Sequence, residues 1–276
     1  MENNQQKIVY KVEEGTDPRD VYCTTYQMRN FYRQFADGFF TSLDVMNYIQ
    51  HHKAVLMMKP GYRVLDVCCG RGLLLPLIRY YRKDIAEYVG VDISESNIKE
   101  QTRRSGIKAI NGLDYYPFKV THKIGSVEEM SKWFTPESFH FIVYTSAIEH
   151  MQKEVGLHSL RECFSLLKAG GNMFISTPNT RTKHDPYDTQ YAAHLYEWNA
   201  KELLTELKAI GFKLVQAVGL VAKKREFDKF ILTRPKPERE LYAKLASYFP
   251  TEWLMSFAAC QYPAIASEVL FVVKKP

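Results

Sequence analysis

No stretch of the 276-residue chain comes near the roughly 18 consecutive apolar residues of a membrane-spanning helix, so no transmembrane span is expected. The opening residues, MENNQQK, lack the apolar segment of a secretory signal. Cysteines are few: five, at 23, 68, 69, 163 and 260, spaced neither as a disulfide framework nor as a metal-ligand set. A reducing cytoplasm is the expected home. G-x-G-x-x-G is absent and no glycine-rich turn carries a Walker lysine, which speaks against a dinucleotide-dependent reductase or an NTPase. Charge of one sign is also scarce, because 37 basic and 31 acidic residues leave only +6. The basic clusters Arg103-Arg104, Lys223-Lys224-Arg225 and Lys274-Lys275 do not alternate with aromatics, so nucleic acid is permitted as a partner but not indicated. What remains, 46% hydrophobic and 25% charged, suits a folded globular protein.

The most informative stretch is Val64-Leu65-Asp66-Val67-Cys68-Cys69-Gly70-Arg71-Gly72. An apolar strand runs into a small-residue turn, and LLLPLI follows at once as a helix expected over 72–82. Gly70 and Gly72 let the backbone turn sharply and approach a ligand closely. The amides that open the helix have no intrahelical partner and can face a polar group. Pro76 is tolerated in the first helical turn. A second strand, over 87–91, leads to Asp92, twenty residues after Gly72. A carboxylate at that tip can accept hydrogen bonds from both hydroxyls of a ribose. The plainer alternative is a tight strand-to-helix turn with an ordinary surface aspartate.

This pattern resembles the class I S-adenosylmethionine-dependent methyltransferase family. The family signature, acidic-x-Gly-x-Gly-x-Gly, reads here as Asp66 to Gly72, with Cys68 at the first glycine position. The resemblance implies an α/β fold: a Rossmann-like seven-stranded methyltransferase sheet flanked by helices. It also implies S-adenosylmethionine as cofactor and S-adenosylhomocysteine as product. Asp66, Cys68, Gly70, Gly72, Asp92 and Ile93 become cofactor-binding candidates. The family's adenine loop falls on Gly125-Ser126-Val127-Glu128, where Ser126 replaces a frequent acidic residue and the Val127 amide can meet a ring nitrogen. Leu167-Lys168-Ala169-Gly170-Gly171 before a strand is a further likeness.

The third strand falls either in IKAINGL or in YYPFKVTHKIG. Phe139 to Tyr144 reads as a buried fourth strand, and Thr145-Ser146-Ala147-Ile148-Glu149-His150 lies beyond its carboxyl end, where open α/β sheets bind ligands. Thr145 joins the cofactor candidates. The resemblance makes His150 the first candidate base; the alternative is a histidine packed beneath the cofactor. A helix over about 156–168 and a strand over 172–177 follow. The polar loop after Thr177-Pro178-Asn179 resembles family members that methylate hydroxyls, with His194-x-Tyr196-x-Trp198 leading into a helix. His194 and His184 are the next candidate bases, and Asn179, Tyr187 and Tyr196 candidate substrate contacts. Asp185, Asp188 and Tyr191 can also reach a substrate. No compact metal-ligand set appears outside this loop, and no metal ion is expected. Asn199 and Glu202 suggest a capping box for the next helix, which Gly211 ends.

Both ends depart from a minimal core. The segment Val21 to His52 is rich in aromatics, and Tyr22, Tyr26 and Tyr32 are candidate substrate contacts if it forms a lid rather than a helical layer. Between the sixth strand (212–220) and the last (269–273) the chain makes an excursion with helices over about 238–247 and 252–259. The division expected is a 1–55 helical lid segment, a 56–220 cofactor-binding core, a 221–266 helical cap and a 267–276 final strand. The function implied is methyl transfer to a hydroxyl or amine of a small-molecule acceptor. A nucleic-acid methyltransferase and a non-catalytic S-adenosylmethionine-binding regulator are the alternatives. A monomer or homodimer without membrane association is expected.

Overall fold

The computed structural model describes residues 42–106, 116–180 and 193–276. The chain folds around one seven-stranded sheet in the order β3-β2-β1-β4-β5-β7-β6. Its strands are β1 (Arg63–Val67), β2 (Glu87–Asp92), β3 (Lys119–Ile124), β4 (Phe139–Thr145), β5 (Leu167–Pro178), β6 (Lys213–Ala222) and β7 (Ala266–Lys274). Strands β1 to β5 pair in parallel, and β7 runs antiparallel to both β5 and β6. This is the Rossmann-like seven-stranded architecture that the turn motif implies.

Parallel strands covered on both faces must be apolar nearly throughout, and RVLDV, EYVGVD and FHFIVYT answer that need. Successive side chains then serve opposite faces. Val64, Phe141, Val143 and Val272 join one apolar cluster, while Leu65, Ile142, Tyr144 and Val273 join another. Helices α1 (Ser42–Met57) and α2 (Leu74–Tyr81) contribute Ala54, Val55, Leu75 and Ile78 to the first. Helices α4 (Lys153–Leu166) and α5 (Ala200–Ile210) contribute Leu160, Cys163, Leu203 and Leu207 to the second. Helix α3 (Glu95–Ser105) connects β2 towards β3 and packs on both strands.

Several local expectations change. YYPFKVTHKIG, not IKAINGL, supplies the third strand. Helix α4 starts three residues earlier than expected and stops at Leu166, and Ala169-Gly170-Gly171 lies inside β5 instead of ending the helix. Gly171 fits there because a Cβ would sit 2.9 Å from the Lys168 carbonyl oxygen. Asn199 caps α5 by accepting from the Lys201 amide at 2.9 Å, but Glu202 does not complete a capping box. Its carboxylate instead takes the Lys153 ammonium at 2.6 Å and the Tyr196 hydroxyl at 2.5 Å, because a cation and a phenol outcompete a single amide.

The excursion before β7 holds three helices, one more than expected: α6 (Lys224–Leu232), α7 (Lys236–Leu245) and α8 (Thr251–Gln261). Helix α6 begins on the run Lys223-Lys224-Arg225, whose charges hid its apolar face. Helix α8 packs on β6 and on α1, so the N-terminal helix and the insertion meet. The approach is close at Gly219, where a Cβ would stand 2.4 Å from the Ala259 carbonyl oxygen. Among the described residues no helix is long and apolar enough to cross a membrane.

Candidate functional site

The turn after β1 is built on left-handed backbone. Cys68, Gly70 and Gly72 have φ of 54°, 52° and 77°. For a residue with a Cβ this conformation costs about 1–2 kcal/mol, so Cys68 carries strain that a glycine would not. Gly72 is required for a second reason: a Cβ there would lie 2.6 Å from Gln101 Oε1. Gln101, buried on α3, donates to the Gly70 carbonyl and the Cys69 sulfur, and His122 of β3 approaches its oxygen at 3.1 Å. The turn is therefore gripped from α3 as well as from its own strand.

Asp92 ends β2 beside this turn. Its carboxylate accepts from the Gly70 and Ser94 amides, each at 2.8 Å, and so ties the glycine turn to the strand tip. Ser94 caps α3 as expected, accepting from the Asn97 amide. The Ile93 side chain is half-exposed at the same tip. Asp66 lies beneath, accepting from the Tyr88 hydroxyl at 2.7 Å. Burial, reinforced by Asp92 and opposed by the Tyr88 hydrogen bond, pushes its carboxyl up to about 7.

At the end of β3, Ser126 is committed to the backbone. It caps a short 3-10 helix (Val127–Lys132) by accepting from the Glu128 amide at 3.2 Å. Val127 turns its side chain into the core. Gly125 lies against Trp133, and a Cβ there would stand 2.1 Å from the indole ring.

The carboxyl ends of β4, β5 and the start of β7 gather a buried polar network. Helix α1 delivers two members that the sequence reading did not single out. His51 Nε2 lies 3.2 Å from Thr145 Oγ1. Gln50 accepts from Ser176 Oγ at 2.6 Å and reaches towards Ser146, whose φ is 48°. Glu268 of β7, buried, accepts from Ser146 Oγ at 3.4 Å. Burial, with Glu149 nearby, holds the Glu268 carboxyl well above the usual carboxylate range. An acid directly before the apolar run VLFVV would have been the signal for Glu268. His51 and Gln50 had none, because only their place on α1 brings them to the sheet.

Glu149 and His150 lie in a single 3-10 turn after β4, held close to residues 193–196, which lead into α5. The Leu195 and Tyr196 amides donate to the Glu149 carbonyl, and Thr177 Oγ1 donates to its carboxylate at 3.0 Å. These bonds bring His194 beside His150, with ring centres 4.9 Å apart. His150 Nδ1 lies 3.0 Å from the Ala193 carbonyl oxygen, and His194 Nδ1 lies 3.0 Å from Glu197 Oε1. Burial lowers His150 to about 4 despite the Ala193 bond, and His194 shifts down by the same cause against the pull of Glu197. Glu149, also by burial, rises to about 7. The Cys68 thiol is raised first by burial and then by Asp92, with Asp66 and Glu149 adding to it. The turn and the Glu149 cluster thus share one end of the sheet.

Two expected substrate contacts are occupied by the fold. Asn179 donates to the Ala266 carbonyl and accepts from the Ala200 amide, which pins β7 and the start of α5. Tyr196 packs edge-on against buried Trp198, and its hydroxyl is held by Glu202. Tyr22, Tyr26, Tyr32, His184 and Tyr187 lie outside the described residues.

Comparisons with known proteins agree with this geometry. The chain is 27% identical over 190 residues to a ubiquinone biosynthesis O-methyltransferase of Azorhizobium caulinodans, covering 64% of this chain and 69% of that one. It is 30% identical over 145 residues to the protein of the same name from Xanthomonas campestris, covering 52% and 55%. The match thus spans little more than half the length of the Xanthomonas relative. Among solved structures, a [4+2]-cyclase, SpnF, superposes with a TM-score of 0.56 over 84% of this chain and 81% of its own, at 18% identity. That likeness concerns the fold alone. Residues 27–217 match the methyltransferase-domain family, which is most of the chain. With its acidic and glycine turn, its carboxylate at the tip of β2 and its sheet order, the chain belongs to the class I S-adenosylmethionine-dependent methyltransferases.

Proposed function

We propose that this chain transfers the methyl group of S-adenosylmethionine to an oxygen of a small-molecule acceptor. The observation that carries the reading is the pairing of His150 and His194 over Glu149 at the same sheet end as the cofactor turn. Methyl transfer is an in-line substitution in which the leaving sulfur needs no proton. The protein must hold nucleophile and methyl carbon about 3 Å apart, and a hydroxyl nucleophile must also lose its proton. Burial keeps both imidazoles neutral, and so able to accept a proton. The O-methyltransferase names of the relatives support oxygen as the acceptor atom.

In this reading the 66–72 turn, Asp92 and the Val127 amide hold the cofactor, and Thr145 with Ser146 borders its reactive end. The buried carboxylates Asp66 and Glu149 suit a sulfonium cation. The division into a 1–55 lid segment, a 56–220 core, a 221–266 cap and a 267–276 final strand, in a cytoplasmic protein, belongs to the same proposal.

A nucleic-acid acceptor has less support. Lys224 is paired with Asp228, and the Arg234 guanidinium stacks 4.3 Å from the Phe230 ring centre, so these cations serve the insertion itself. The test is calorimetric titration with S-adenosylmethionine and S-adenosylhomocysteine, repeated with Asp92→Asn, followed by transfer of labelled methyl groups to separate small-molecule, RNA and DNA pools. Binding weakened at least tenfold in the variant, with label in small molecules, is expected. Label confined to RNA or DNA, or cofactor binding with no transfer to any pool, would overturn the reading.

A further inference from the structure

Outside the polar loop the sequence offers no compact ligand set, yet the fold brings His194 of that loop to Glu149 and His150. We propose that Glu149, His150 and His194 form a binding site for a divalent transition-metal ion of the zinc or cobalt class. One ligand atom from each lies within 4.8 Å of the other two, and His150 Nε2 is 3.9 Å from Glu149 Oε1. Metal bonds of about 2.0–2.2 Å place neighbouring ligands about 3–4 Å apart, so small side-chain rotations close the set around an ion.

Orientation argues the same way. Each ring nitrogen Nδ1 faces an oxygen acceptor: the Ala193 carbonyl for His150 and the Glu197 carboxylate for His194. A carbonyl or carboxylate oxygen accepts, so both Nδ1 atoms carry hydrogen and both Nε2 atoms carry the lone pair. A histidine whose far nitrogen is fixed by a carbonyl or carboxylate is the arrangement that orients imidazole ligands on metals. Glu149 is positioned likewise, its carboxylate by Thr177 and its carbonyl by the Leu195 and Tyr196 amides. All three ligands are therefore held by an outer layer of bonds before any ion arrives.

The donor set selects the ion. Two imidazoles favour zinc or its substitute cobalt over magnesium, calcium or manganese, which suit oxygen donors. Three protein ligands leave coordination positions open. This inference deepens the proposed function by giving the two Nε2 lone pairs to the ion, which takes over from the imidazoles the task of freeing the hydroxyl's proton. It rests on that function only in assigning the open positions to the acceptor. A hydroxyl oxygen bound there is acidified and releases its proton to solvent. Its electron pair then forms the new O–CH3 bond while the S–CH3 bond breaks, and the sulfur keeps that bond's electron pair as S-adenosylhomocysteine.

The experiment needs neither cofactor nor acceptor, so its failure is distinct from failure of the methyl-transfer reading. Chelator-treated wild type is titrated with Zn2+ by calorimetry and with Co2+ by visible absorption, with Mg2+ as control. Saturable binding of one ion per chain is expected, with a cobalt spectrum distinct from that of the hydrated ion and no comparable uptake of Mg2+. Affinity should fall at least tenfold in His194→Gln and in Glu149→Gln, and be unchanged in His158→Gln on α4. Thermal melts monitor folding of each variant, and the wild type alone can refute the site. Absence of saturable Zn2+ and Co2+ binding, or binding retained in folded His194→Gln and Glu149→Gln, would overturn it.

Discussion

Replacing Gly72 with alanine should harm the protein more than the same change at Gly61, and the difference measures how α3 grips the cofactor turn. Both glycines have left-handed φ, 77° and 74°. At Gly61 a new Cβ meets nothing within 4 Å, whereas at Gly72 it lies 2.6 Å from Gln101 Oε1 and 2.8 Å from its Cδ. Gly61→Ala therefore reports the backbone penalty alone. That penalty is about 1–2 kcal/mol, offset by about 0.4–1 kcal/mol from a less flexible unfolded chain. A net loss of about 0.5–1 kcal/mol remains.

Gly72→Ala adds the displacement of Gln101. That side chain is buried and bonded to the Gly70 carbonyl, the Cys69 sulfur and His122, so it cannot swing aside without leaving polar groups unpaired. One such group costs about 1–3 kcal/mol, giving a total of about 2–4 kcal/mol. At about 2 °C per kcal/mol for a chain of this size, the melting temperature should drop about 4–8 °C, against about 1–2 °C for Gly61→Ala. Calorimetry should show S-adenosylmethionine affinity falling at least tenfold in Gly72→Ala only. Equal melting shifts in the two variants, or unchanged cofactor affinity in Gly72→Ala, would refute the reasoning.

Asp66→Asn should melt higher than wild type at pH 8, with the gap closing towards pH 4. The folded carboxyl is raised from 3.8 to about 7, so the folded state holds the proton more tightly. The stability this gives is complete below the unfolded value and is lost as pH rises through 7, at most about 4 kcal/mol. Melting curves between pH 4 and 8 check it, and a gap that is constant or widens on acidification would be inconsistent with it. Gln50→Ala should destabilise by about 1–3 kcal/mol, because it removes the acceptor of the buried Ser176 hydroxyl that ties α1 to β5. Urea unfolding monitored by circular dichroism measures this, and a loss below about 0.5 kcal/mol would show that Ser146 takes over as Ser176's partner.

Much of this protein was legible without coordinates. The turn at 64–72, the second strand ending at Asp92 and the buried fourth strand are set by local rules: apolar runs, glycine backbone freedom and period. They could be read because each depends on residues close in sequence. The Ser94 and Asn199 caps were legible for the same reason. Errors arose where a local rule met a stronger distant partner. Glu202 left its expected capping box for Lys153, 49 residues away, and Tyr196. Asn179, expected to face substrate, is drawn to Ala266 across 87 residues. Helix α6 was missed because its charged start conceals the one residue, Phe227, that it buries.

The sequence by itself determined the family, the glycine turn after β1 and the strand ends beside it, since one short motif and the apolar strand runs carry all three. Only the tertiary structure decided which side chains meet there. It set His194 against His150 across 43 intervening positions by tying the Glu149 carbonyl to the Leu195 and Tyr196 amides. It also brought Gln50, His51 and Glu268 from opposite ends of the chain to the tips of β4 and β5. Such meetings depend on how α1 and the antiparallel β7 pack, and packing is a property of surfaces assembled from distant segments, which no local pattern records.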